Sequence, residues 1–263
     1  MAAMAIGNYW ECVVPEGESA PLERVVGEST TLARQHFSSW RFEPDGEDLG
    51  GADFMCMGFA TGDIRAIVHL VKPRGQPNFY LHSAFPWLAA GAPTRLKVCN
   101  SDTDHFGLEG FIGAGIDDGP YVKFFDPLYA LNKGKYGIGS ALGFMLAGLS
   151  LDLKPACLMP GRVTINQEEV DTSRAKIFRR AAQDASDYYV FQGPVRTIRS
   201  TEFLNRPFLI FRTAVVDLDG DGLTVDIYVD RARFQSRTVP TAGDIVSGTL
   251  WLQGCLMASI VDQ

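Results

Sequence analysis

A chain of 263 residues with 46% hydrophobic and 21% charged side chains has the composition of a globular protein with a proper core, which excludes a disordered chain. Its net charge of −7 disfavours a broad nonspecific nucleic-acid surface, because phosphate contacts need concentrated Lys and Arg. The length suits one large β-rich domain or two ordinary ones.

The 27 glycines are scattered rather than repeated, as many turns and bulges between short strands require. Five cysteines (Cys12, Cys56, Cys99, Cys157, Cys255) form no CxxC, and most sit beside apolar residues. They read as buried free thiols of a reducing compartment. Met1–Ile6 lacks the basic region and long apolar core of a signal peptide, so the expected location is the cytoplasm.

In chain order, Thr31–Trp40 is expected as a short helix and Pro44–Asp48 as a loop. Strands follow at 53–60 and 64–71, joined by the hairpin signal Thr61-Gly62-Asp63, then at 78–84, 94–99, 108–114 and 121–125. Strands this dense leave no room for intervening helices and imply an antiparallel sheet or barrel. Gly137–Leu151 carries no charge over fifteen residues, short of the roughly 20 a spanning helix needs. It reads as a buried core helix, not a membrane segment. A second helix is expected at Ser173–Ala185, acting as a connector. Strands return at 188–199, 207–216, 223–229 and 243–257. In the last of these, Leu250 and Leu252 share the face of Gly248 and Gly254, while Trp251 and Gln253 face the opposite way.

The C-terminal stretch resembles an OB-fold module, on its strand count, the Gly243-Asp244 entering the last long strand, and the coiling glycines of that strand. The resemblance implies binding of oligonucleotides or oligosaccharides on the second and third strands. Those strands here lack dense aromatic and basic residues, and Asp226 shares the face of Tyr228. The expected architecture is therefore mainly β with minor α. A β-rich part (1–160) holds one buried helix near 137–151, a helical connector spans 161–186, and an OB-like barrel spans 187–263.

Asp217-x-Asp219-x-Asp221-Gly222 copies the first half of an EF-hand loop, but Tyr228 stands where a bidentate Glu is required, so a solvated turn is expected and no metal. Asn100–His105 brings Asp102, Asp104 and His105 into one loop, which suits either turn chemistry or a catalytic set. Asp126 follows an apolar strand and precedes Pro127, where a carboxylate is aimed into a loop-lined cleft or caps a turn. No phosphate loop, dinucleotide fingerprint or Gly-x-Ser-x-Gly elbow is present, and no cofactor is implied. Trp251, outside the barrel wall, either stacks a ligand or is covered by the N-terminal half.

Three functions follow from these residues. The leading one is a non-enzymatic binding or adaptor role toward a protein or polymer, by partner binding or self-association, using Trp251, Tyr228, Arg212 and Tyr129. The second is a hydrolase built on Asp126, Asp102, Asp104 and His105. The third is single-stranded nucleic-acid binding through Arg196, Arg199, Arg212, Tyr228 and Trp251, which the charge balance disfavours.

Overall fold

The computed structural model describes residues 10, 13, 37–42, 52–60, 62–103, 107–116, 119–150, 152–156, 163–165, 168–170, 175–181, 187–217, 222–234, 236 and 238–257. Asp104, His105, Asp219 and Asp221 lie outside them.

Strands dominate. Phe37–Phe42 (β1), Asp53–Ala60 (β2), Ile64–Lys72 (β3) and Tyr80–Leu88 (β4) form an antiparallel sheet in sequential order. Gly62, at φ 110°, makes the turn between β2 and β3. The short helix expected at Thr31–Trp40 is corrected over 37–40, which belong to β1 and pair with β2.

The larger sheet closes on itself. Its strands are Ala92–Thr103 (β5), Gly110–Gly115 (β6), Tyr121–Asp126 (β7), Ala141–Ser150 (β8), Tyr188–Phe203 (β13), Arg206–Ala214 (β14), Thr224–Asp230 (β15) and Ile245–Leu256 (β16). They form an eight-stranded ring in the order β13-β14-β15-β8-β5-β6-β7-β16, closed by the pairing of β16 with β13. Four short strands lie outside this ring: Lys154–Pro155 (β9), Val163–Ile165 (β10), Glu168–Val170 (β11) and Ile177–Arg180 (β12). The helical turn Tyr129–Asn132 (α1) follows β7.

Two sequence-based expectations are corrected here. Gly137–Leu151 supplies β8 rather than a helix: from Leu146 to Ser150 both faces are buried, so the apolar run is continuous where a half-exposed strand would alternate. The connector helix at 173–185 is likewise replaced, over 177–180, by β12, which pairs with β13.

The ring has a two-fold pattern. β5-β6-β7 form a meander continued in parallel by β16, and β13-β14-β15 form one continued in parallel by β8. The last strand of each group therefore closes the other group's ring, and strands from before residue 160 and after residue 187 share one barrel. β8 and β16 also pair with each other, Leu146 opposite Gly254 and Gly148 opposite Leu252. A Cβ on Gly254 would lie 2.6 Å from the Phe124 ring, so glycine is required where these two strands pinch the interior.

Inside the barrel, Phe124, Phe144, Phe191, Phe211, Leu250 and Leu252 belong to one buried cluster. Outside, the N-terminal sheet packs on the backs of β7, β8 and β13–β16. Trp87 and Phe85 join Phe125, Tyr228, Phe208 and Trp251 there, with Phe85 and Phe125 ring centroids 4.9 Å apart. Each such aromatic contributes about 2–3 kcal/mol by leaving water. An Arg199–Asp63 ion pair ties the β2–β3 turn to the barrel.

Candidate binding face

The outer surface of β5–β6–β7 follows from strand alternation. In β5, Leu96 and Val98 are buried in the barrel and Arg95 and Lys97 face out. A bulge at Cys99 shifts the register, so Asn100 and Asp102 also face out. The pairing places Lys97, Gly115 and Tyr121 in one row, Asn100, Gly113 and Lys123 in the next, and Asp102, Phe111 and Phe125 in the third.

Glycine shapes this floor. Any Cβ on Gly113 would strike the Tyr121 hydroxyl and the Asn100 side-chain oxygen. Without one, Tyr121 lies across the sheet and donates to Asn100 Oδ1 at 3.2 Å. At Gly115 the nearest atoms to an added Cβ are Cys99 Sγ and the Pro120 carbonyl oxygen, both at 3.9 Å, so the floor is open.

Cations cap the aromatic side chains. The Arg180 guanidinium lies 5.5 Å from the Tyr121 ring centroid, and Lys123 Nζ lies 5.5 Å from that of Phe111 while it bridges Asp102. Arg95 and Lys97 have no acidic partner among the described residues. Tyr189 fixes the flank: its hydroxyl accepts the Lys123 N–H at 2.8 Å and donates to the Lys123 carbonyl at 3.2 Å. Burial raises the pKa of that hydroxyl, which keeps its proton. Phe178 of β12 stacks on the Tyr189 ring at 4.4 Å, and so delivers Arg180 to the face.

The residues singled out from sequence are distributed differently. Asp126 is buried at 1% exposure and accepts bonds from the Leu128 N–H at 2.8 Å, from Asn132 Nδ2 at 3.4 Å and from the Tyr136 hydroxyl. Burial pushes its carboxyl up to about 6, against the lowering effect of those three donors. Alternation turns Asp126 toward the interior and Asp102 to the outer surface, so the structure does not bring these two together.

Three of the four ligand-contact candidates are core residues. Trp251, at 1% exposure, lies against Phe125 under the N-terminal sheet, and its indole N–H is bound by Asp187. Tyr228 is buried and donates to the Ala90 carbonyl at 2.7 Å. Tyr129 stacks on Tyr136. Arg212 is half-buried and grips Asp226 with Nε and Nη2 at 2.8 and 2.9 Å, and Arg199 reaches the same carboxylate at 3.3 Å. Arg196 is exposed, and Asp217 pairs with Lys176. Among the described residues no cluster of three His, Cys, Asp or Glu side chains is placed to hold a metal ion.

Sequence reasoning passed over Arg95, Lys97, Phe111, Tyr121, Lys123 and Arg180. The alternation of Arg95 and Lys97 with Leu96 and Val98 was the available signal. The alignment of β5, β6 and β7 into rows, and the delivery of Arg180 by β12, have no local signature.

The fold defines a class: a mainly β protein built on a closed eight-stranded barrel, one side of which is covered by a separate sheet. Beyond that class, no family model, curated protein or solved structure matches the chain. No helix among the described residues is long and apolar enough to cross a membrane.

Proposed function

We propose that the protein is a non-enzymatic binding protein that holds an extended partner along the outer face of β5–β6–β7. One observation carries this reading. The layer under the N-terminal sheet reaches Phe125 of β7, with Phe111 of β6 packed against it, while the β5–β7 surface beyond these two keeps Tyr121 at 41% exposure beside an open floor at Gly115. An exposed aromatic side chain on a rigid sheet, flanked by cations, suits binding through contact and charge. The hydrolase reading loses support because Asp126 is buried among its own hydrogen-bond donors.

The test is partner capture with the full-length protein and a Gly115→Leu variant, which fills the open floor. A partner retained by the wild type and lost by the variant, with the unfolding midpoint unchanged, supports the face. An identical set of partners on both proteins overturns it.

A further inference from the structure

We infer that the β5–β6–β7 face recognises an acidic, extended polypeptide segment. This rests on the proposed binding face and adds the chemistry of its ligand. The chain as a whole carries net charge −7, yet among the described residues this face presents Arg95, Lys97, Lys123 and Arg180 against one carboxylate, Asp102. Local charge therefore opposes the global charge, and three of the four cations have no ion-pair partner among the described residues. An anionic partner gains from all three, and a cationic one is repelled.

Two anionic polymers compete for such a face, and the aromatic geometry separates them. Single-stranded nucleic acid is held by bases stacked on free aromatic faces. Here Tyr121 lies flat across Gly113 with its hydroxyl bound to Asn100, and Arg180 covers the ring. Phe111 lies under the Lys123 ammonium. Both rings are already engaged by cations, so the groups offered to a ligand are guanidinium and ammonium donors. Carboxylates match them, bidentate at the guanidinium groups. The open floor at Gly115, beside the Tyr121 ring, admits a polypeptide backbone in extended conformation, its alternate side chains reaching the cation rows.

The test is fluorescence anisotropy on the full-length protein with three labelled probes: a peptide of about ten residues rich in Glu, its Lys counterpart, and a single-stranded oligothymidylate of similar length. The expected result is saturable binding of the acidic peptide alone, weakening as salt rises from about 50 to 200 mM. Lys97→Glu and Arg95→Glu are each expected to weaken it about tenfold, with unchanged circular dichroism and unfolding midpoint, since both side chains are exposed and have no ion-pair partner among the described residues. Lys97→Arg is expected to bind like the wild type. Tighter binding of the oligothymidylate overturns the inference in favour of nucleic acid. Absence of acidic-peptide binding at low salt, or binding unchanged by both charge reversals, also overturns it. If capture is still lost in Gly115→Leu while the acidic peptide fails to bind, the face stands and only the ligand chemistry falls. If capture is unaffected as well, both readings fall.

Discussion

Gln253 binds the edge of strand β4: its side-chain oxygen accepts the Leu88 N–H at 3.1 Å, and its side-chain nitrogen donates to the Pro86 carbonyl at 2.7 Å. A single amide thus takes the place of a neighbouring strand along a buried edge, and the Trp10 indole satisfies the Ala84 carbonyl two residues earlier in the same way. Pro86 has no N–H to offer, which suits an edge that a side chain must finish. The N-terminal sheet is therefore joined to the barrel by hydrogen bonds as well as by the aromatic layer around Trp251.

Replacing Gln253 by Met keeps the volume and removes both bonds. A buried N–H and a buried carbonyl then lose their partners, at a cost of about 3 kcal/mol in total. Urea unfolding is expected to show this as a lower midpoint with an unchanged slope. A loss below about 1 kcal/mol means that water or the β4 backbone recovers those bonds.

The pinch between β8 and β16 predicts an asymmetric response to added methyl groups. Gly254→Ala places a Cβ 2.6 Å from the Phe124 ring and 2.9 Å from Leu146, inside a full core, and is expected to cost about 3 kcal/mol. Gly148→Ala meets first the branched end of the Leu250 side chain, at 3.0 Å, and is expected to cost about 1 kcal/mol. Thermal unfolding of the two variants measures the order. Equal midpoints would show that the interior relaxes freely at both positions.

Much of the fold was legible because half-buried strands announce themselves. Val225, Ile227 and Val229 alternate with Asp226 and Tyr228, and the structure turns the first set inward. β8 was misread for a physical reason. Phe144 and Leu146 fill the barrel while Ala147 and Leu149 lie under the N-terminal sheet, so its sequence is apolar throughout and its small residues resemble a helix contact. The exterior position of Trp251 was legible from its alternation with Leu250 and Leu252. Its cover by the N-terminal half was one of the two readings the sequence offered, and the structure bears it out; the residues that make the cover, Trp87 and Phe85, meet it only in three dimensions. The candidate face was illegible for a similar reason, since the row Lys97–Gly115–Tyr121 comes from three separate strands.

Exchange of closing strands predicts that neither half folds alone. A fragment spanning 187–263 keeps β13–β16 and loses β8, the strand that continues β15 and pairs with β16. Expressed separately, 1–160 and 161–263 are expected to lack a cooperative unfolding transition, and co-expression is expected to restore one complex with the unfolding profile of the intact chain. A cooperative transition in 187–263 by itself would show that the C-terminal strands close without β8.

Thiol accessibility follows burial. Cys99 is exposed at the bulge of β5, whereas burial pushes the Cys56 and Cys255 thiols up to about 12. Alkylation of the native protein with iodoacetamide, followed by peptide mapping, is expected to modify Cys99 and spare the other two until denaturant is added. Because Cys99 borders the open floor at Gly115, a bulky maleimide there is also expected to block partner capture.

Asp126 sets a pH dependence whose sign is fixed by burial. Its folded-state carboxyl is raised to about 6 from an ordinary value of 3.8, so the folded protein favours the protonated form. Its contribution to stability is therefore fully present below pH 3.8 and is lost as pH rises through about 6. Asp126→Asn holds the position neutral, with an oxygen to accept from Leu128 and Tyr136. Between pH 4 and pH 8 the variant is expected to gain on the wild type by on the order of 3 kcal/mol, the shift of roughly two units converted at about 1.4 kcal/mol each. The comparison cancels other buried titrating groups, including His69, whose imidazole burial lowers to about 3, and Asp187, whose carboxyl burial raises. Urea midpoints of both proteins across this range measure the effect. Parallel profiles would mean that Tyr136, Asn132 and the Leu128 N–H stabilise the carboxylate as fully as water does.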